Sequence, residues 1–234
     1  MSRTVPHDRV ARLIDAATGT FVARGYRLTQ MADVAEALGV AKGTLYGYVE
    51  SKEALFDAVL RFADGSTPLP NPDALPLRTP SSGATVAYVR DRLRDETTAL
   101  EVGRVLRGER RIADAAEELE VVLVDLFRRI ARHRRALKLV DRCAADLPEL
   151  AALWFESGRF AQHGLLVELI RRRGRRGKLR RVEHPELLAR TLLESVAFWA
   201  MHRHFDPSPQ KVEDSDAERM LVDLAWSALL PRSR

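Results

Sequence analysis

The stretch Thr29–Lys52, TQMADVAEALGVAKGTLYGYVESK, constrains the fold more than any other part of the chain. Met31, Val34, Ala35 and Leu38 recur at helical spacing and so pack inward from one helix. Thr29 is placed to cap that helix. Leu38-Gly39-Val40 then turns, because Gly39 can adopt the positive φ that a tight turn demands. Ala41 to Tyr48 fit a second, short helix with Leu45 as its anchor, leaving Lys42, Thr44, Tyr46 and Tyr48 to point away from the core. Ser51 is placed to cap the next helix, with Lys52 in its first turn. A cation there opposes the helix dipole, unless a phosphate shares the site with the free N–H groups. Two helices, a tight turn, one buried anchor and a polar outer surface are what entry into a DNA major groove requires. The plainer reading is a small helical bundle with a solvated lysine and two surface tyrosines.

With 234 residues, 46% hydrophobic and 30% charged, the chain is expected to be globular and soluble, with room for two small domains. No run approaches the ~18 apolar residues of a membrane helix, and the N-terminus lacks the apolar core of a signal peptide. One cysteine, Cys143, leaves no internal disulfide and no multi-cysteine zinc site. A cytoplasmic protein without membrane contact is expected. The net charge of +5 is unevenly placed. Residues 1–64 hold eight basic and eight acidic groups, whereas 101–181 hold twenty against twelve, so global charge does not itself argue for DNA. The local pattern argues better: Ala37 to Val49 carries Lys42 and no carboxylate, so phosphates would not be repelled.

Helical periodicity continues on both sides. One helix is expected from Asp8 to Arg24 and another from Lys52 to about Ala63. Residues 64–83 then hold five prolines between Pro68 and Pro80, which exclude continuous helix. A loose linker is the expectation, an ordered loop the alternative. Val86, Val89, Leu93 and Leu100 mark a helix ending near Gly108, and Leu119 to Ile130 mark the next. Asp146 is placed to cap a helix opened by Pro148 that continues through Leu150, Leu153, Trp154 and on to Leu169 and Ile170. Pro185 opens one reaching about Phe205, and Ser215 with Glu218 spells a capping box for the last. No strand pattern of useful length is present, so the fold is expected to be all-α.

Residues 8–62 resemble the DNA-binding domain of the TetR family of bacterial regulators. Leu13, Ile14, Ala17 and Phe21 resemble the core face of its first helix, and Gly25-Tyr26 its Gly-Tyr turn. Val40-Ala41-Lys42-Gly43-Thr44-Leu45-Tyr46-Gly47-Tyr48 is similar to its third helix, and Ser51-Lys52-Glu53-Ala54-Leu55 to the start of its fourth. The resemblance implies an N-terminal helix-turn-helix domain (1–64), a Pro-rich connection (65–83), and a larger helical ligand-binding and dimerisation domain (84–234). It implies that Thr29, Tyr46, Tyr48 and Lys52 hold phosphates, with Gln30 beside them, and that Lys42, Gly43 and Thr44 lie nearest the base edges. Three positions depart from the family pattern: Val49 stands for Phe, Ala41 for Ser, and Gln30-Met31 for Thr-Val or Thr-Ile. The base sequence read therefore does not carry over.

The resemblance also places an inducer pocket in the middle helices, where Phe127, Trp154, Phe155 and Phe160 are candidates, although ordinary core packing accounts for each one singly. The last two helices are expected to form the dimer through Leu188, Leu192, Val196, Trp199, Leu221 and Leu224. RRRGRRGKLRR, residues 171–181, carries eight basic groups in eleven and reads either as a nucleic-acid patch or, preferably, as a solvated Gly-broken connection. His202 and His204 do not share a helical face, so no metal site is expected. No cofactor motif or nucleophile elbow is present, so no enzyme is expected. The expectation is a dimeric repressor of a palindromic double-stranded DNA operator, released by a small-molecule effector. Its rivals are an activator of the same fold, a nonspecific basic DNA-coating protein, and a helical ligand carrier.

Overall fold

The computed structural model describes residues 7–208 and 211–231; the side chains of 7–8 and 156–160 lie outside that description. Helices account for almost all regular structure among the described residues. The chain divides into two compact units: residues up to Asp91 with Arg135–Trp154, and Arg92–Arg134 with the residues from Phe155 onward. Of the residues expected in an 84–234 domain, 84–91 and Arg135–Trp154 fall in the first unit.

In the first unit, α1 (His7–Leu28) buries Val10, Leu13, Ile14, Ala17 and Phe21 along one stripe. Its regular geometry breaks at Gly25, with φ 78° and ψ 172°. The helix α2 (Met31–Leu38) buries the four apolar residues expected of it. The helix α3 (Lys42–Leu45) is a single turn, shorter than expected, because tight turns through Gly47 and Tyr48 replace helix. Ser51 caps α4 (Lys52–Phe62) by accepting from the Ala54 N–H at 3.1 Å. Phe56 of α4 meets Phe21 and Tyr26 edge-on, with ring centroids 5.3 and 4.9 Å apart. Each ring of this size removed from water contributes roughly 1.5–3 kcal/mol.

The Pro-rich segment is ordered rather than loose. Asn71 caps a 3-10 turn, Pro72–Ala74, and the Leu75–Pro76 bond is cis. Leu77 then lies parallel to Val49: its N–H donates to the Tyr48 carbonyl at 2.8 Å, and its carbonyl accepts from the Glu50 N–H at 2.9 Å. Thr79 continues the contact, donating its N–H to the Glu50 carboxylate at 2.9 Å and its hydroxyl to Ser51 at 2.8 Å.

The helix α5 (Ala84–Thr98) ends before α6 (Glu101–Arg107), although one helix was expected from Val86 to Gly108. Leu100 is buried at the break, and Asp125 accepts the Glu101 N–H at 2.9 Å, so the second helix gains its own cap. The helix α7 (Ala115–Arg132) carries the expected stripe from Leu119 to Ile130 and is capped by Asp114. At the start of α8 (Arg134–Cys143), the Asp64 carboxylate accepts the N–H groups of Arg135 and Ala136 at 3.0 and 3.3 Å. Asp146 does not cap the helix after it. It accepts the Arg27 N–H at 2.9 Å instead, and Leu147 precedes α9 (Pro148–Ala151). A π-helical stretch, Ala152–Gly158, separates α9 from α10 (Arg159–Arg175), where one continuous helix was expected.

In the second unit, α11 (Pro185–Ala200) stops earlier than Phe205. The buried Arg203 side chain donates to the Trp199 carbonyl at 2.7 Å, occupying the acceptor that further helix would use, and also to the Val212 carbonyl at 2.6 Å. The last helix, α12 (Asp214–Leu229), starts at Asp214 without the Ser215–Glu218 box, because Glu218 is engaged by Arg128 in two bonds of 2.9 Å. The Arg-rich segment is largely structural. Arg173 meets the buried Glu118 in two bonds of 2.6 and 2.7 Å, Arg180 donates to the Ala228 carbonyl at 2.7 Å, and Lys178 donates to the Ala113 carbonyl at 3.2 Å. Arg171 pairs with Glu186.

Candidate nucleic-acid interface

The surface expected to meet DNA is built by α2, the turn and α3. Gln30 and Asp33 close the start of α2: the Gln30 N–H donates to the Asp33 carboxylate at 2.8 Å, and the Asp33 N–H returns to the Gln30 carbonyl at 3.1 Å. Asp33 also holds Arg24 at 2.9 Å, which fixes α2 against the end of α1. Gly39, at φ 74°, caps α2 while the Val40 N–H reaches the Ala35 carbonyl at 2.9 Å. The chain is thereby aimed into α3, where Leu45 is fully buried and Lys42, Gly43, Thr44 and Tyr46 all stand in solvent. Ala41 opens α3 without a side-chain cap, as its lack of a hydroxyl implies.

Two expected phosphate contacts are placed elsewhere. Thr29 is 1% exposed and donates its hydroxyl to the Gly25 carbonyl at 2.7 Å. It ties the α1 kink to α2 and caps nothing; Gln30 holds the cap position. Tyr48 is 4% exposed, because the chain turns at Gly47 and carries its ring inward. Lys52 is only partly committed: its ammonium lies 4.5 Å from the Tyr26 ring centroid and donates to the Arg27 carbonyl at 3.3 Å. Gln30, Lys42, Gly43, Thr44 and Tyr46 therefore form the exposed set, and Val49 is buried beside Leu77.

At the start of α4, the Tyr26 hydroxyl donates to the Glu53 carboxylate at 3.1 Å, an exposed bond. Burial, and then the Glu53 charge, push the Tyr26 hydroxyl up to about 12. Glu53 is held below the ordinary carboxylate range by its own backbone N–H first, with Ser51, Tyr26 and Lys52 adding to it against some burial. At neutral pH this is a phenol and a carboxylate anion. Burial raises the Cys143 thiol to about 12, so it remains an unreactive core group.

The expected effector residues are divided between the two units. Phe127 is buried in α7 within the second unit, while Trp154 belongs to the first unit and donates its indole N–H to Asp141 at 3.3 Å. Phe155 is 41% exposed, and the Phe160 side chain lies outside the described residues. A cavity of about 450 Å³ in the first unit is lined by none of these four. Of the expected dimer residues, Leu192, Val196 and Leu221 are buried in the chain's own core and Leu188 and Trp199 are half-buried, because the stripes joining α11 to α12 and α7 claim them. Leu224 is exposed, and with it Leu187, Phe198 and Met220. Periodicity locates an apolar stripe but does not say whether the same chain or a second copy covers it.

An exposed α3 turned out from a buried α2, with the Gln30–Asp33 box opening α2 and Ser51 capping α4, has the arrangement of a helix-turn-helix domain. Residues 13–59 match the family described as "Bacterial regulatory proteins, tetR family", so this stretch is similar to that family's DNA-binding domain. It is 42% identical over 53 residues to the HTH-type transcriptional repressor KstR2 of Rhodococcus jostii, covering 23% of this chain and 26% of that protein. It is 42% identical over 52 residues to the HTH-type transcriptional regulator YhgD of Bacillus subtilis, covering 22% and 27%. The match thus spans about a quarter of the curated relatives' length. The whole fold is similar to that of the ketosteroid transcriptional regulator KstR2 of Mycobacterium tuberculosis, with a TM-score of 0.59 and 17% identity over 99% of this chain and 100% of that one. No helix among the described residues is long and apolar enough to cross a membrane.

Proposed function

We propose that the chain is a cytoplasmic, ligand-responsive transcriptional regulator that binds a palindromic operator as a homodimer and acts as a repressor, by binding rather than catalysis. The observation that carries this reading is α3, whose every outward side chain is free of protein partners that would hide it while Leu45 anchors it. Lys42 and Thr44 reach base edges; Tyr46 and Gln30 meet phosphates; Lys52 joins them by leaving the Arg27 carbonyl. One such turn reads few base pairs, so a two-fold pair of α3 helices spaced by about 34–36 Å supplies the rest. The exposed Leu187, Phe198, Met220 and Leu224 on α11 and α12 supply an apolar face for that pairing.

Selection of bound sequences from a random DNA pool at near-physiological salt tests this directly. An enriched palindrome with half-sites about one helical turn apart is the expected result. Absence of enrichment, with binding lost on modest salt addition, would overturn it in favour of nonspecific binding.

A further inference from the structure

The cavity in the first unit has no counterpart among the residues that the sequence offered for an effector. Its volume of about 450 Å³ falls within the range of small-molecule sites. Phe56, Val86, Leu147 and Leu150 give it an apolar body. Glu53 and Glu149 also line it, and no Lys, Arg or His does. We propose that this cavity binds a small amphipathic cation, an apolar body bearing a protonated amine or amidinium that faces Glu53, and that its occupancy changes operator affinity. The second clause rests on the regulator reading above; the binding itself does not.

Three features support the assignment. Glu53 already accepts the Tyr26 hydroxyl at 3.1 Å and retains acceptor capacity for a cationic donor, since a carboxylate has about four lone-pair sites. A carboxylic acid ligand would face two carboxylates with no countercharge on the lining, whereas an ammonium gains from both. The walls are also the parts that aim α3. Tyr26 follows the Gly25 kink, Phe56 meets it edge-on from α4, and residues 80–83 continue the strap that Leu77 and Thr79 tie to Tyr48, Glu50 and Ser51. A body wedged among these residues spreads the elements that fix where α3 begins and ends, so bound and empty states differ in their fit to DNA.

The test uses the full chain and three probes with one shared body: phenylbutylamine, phenylbutanol and phenylbutyrate. Ligand-observed NMR is expected to show binding in the order amine, alcohol, then carboxylate. Glu53→Gln is expected to cost the amine about fivefold in affinity and leave the alcohol unchanged. Val86→Trp, which fills the cavity from its half-buried wall, is expected to abolish both, with unchanged far-UV circular dichroism as the control for folding. Equal binding of all three probes, tighter binding of the carboxylate, or binding that survives Val86→Trp overturns the site. With the operator from the DNA selection, saturating amine is expected to shift the operator Kd about fivefold or more. An unshifted Kd with the amine bound overturns the regulatory clause alone. Failure of the DNA selection overturns the regulator reading, while the NMR result still decides the site.

Discussion

Two glycines with similar positive φ make opposite predictions. Gly39 has φ 74° and ψ 37°, the left-handed helical region, and a Cβ there would meet nothing within 4 Å. Gly25 has φ 78° and ψ 172°, a region essentially restricted to glycine, and a Cβ there would lie 2.8 Å from the Asp146 Oδ2. Gly39→Ala therefore carries backbone strain only, about 1–2 kcal/mol. Gly25→Ala carries strain of roughly 1–3 kcal/mol and must also displace Asp146 from the Arg27 N–H, so its total is expected to exceed about 3 kcal/mol. Asparagine separates the two causes. It tolerates the left-handed helical region, so Gly39→Asn should recover most of the loss, whereas Gly25→Asn should recover none. Urea denaturation of the full chain, followed by circular dichroism, gives the four differences. In a chain of this size each kcal/mol also lowers Tm by about 2–4 °C. Equal losses for the two alanines, or an asparagine rescue at position 25, would refute the argument from backbone geometry and contact.

Arg173→Ala leaves Glu118 buried and unpaired and is expected to cost about 3–5 kcal/mol in urea denaturation, whereas exposed Arg176→Ala should stay within about 0.5 kcal/mol. His204 is held below its ordinary 6.5 by burial first and then by the Arg134 and Arg203 charges, which outweigh Asp214. The unfolded chain thus binds that proton more readily, so stability falls as pH drops below about 6.5, and His204→Asn should flatten denaturation midpoints compared between about pH 7.5 and 5.5. Phe198→Glu with Leu224→Glu should yield a helical monomer in sedimentation and abolish tight operator binding. Lys42→Ala should cost about 1–3 kcal/mol on the selected operator and relax preference at one position, read by repeating the selection.

Local chemistry was legible where the sequence states both the need and the means. Gly39 at a helix end, Ser51 before Lys52, and Leu45 as the one apolar residue of α3 could each be read singly, and the structure places all three as read. Side chains with two plausible duties were not. Thr29 and Tyr48 are polar residues in a polar surface pattern, yet each is buried by a backbone feature set elsewhere: the Gly25 carbonyl offered at a kink, and the turn at Gly47. Long-range partners likewise overrode local signals. Asp146 had the spacing of a cap and Glu218 that of a capping box, but Arg27 and Arg128 lie far away in sequence. No local pattern announces such pairs, and one good charge-assisted bond outweighs a cap of about 1 kcal/mol.

The Pro-rich strap shows why composition misled. Prolines exclude helix and remove donors, which suggests a loose connection. They also leave few conformations to the residues between them, so little entropy is lost when those residues bind. Leu77 and Thr79 keep their N–H groups, two residues apart and therefore on one side of an extended chain. Both are spent on Tyr48–Ser51, the short path between α3 and α4. That path contains no helix of its own to hold it, and α3 is a single turn. The segment that sequence alone assigned to spacing the domains is thus what fixes the exit of the DNA-facing turn. Its continuation, residues 80–83, also forms one wall of the cation cavity. Effector and operator would then act on one strap within one compact unit, and no signal need come from the other.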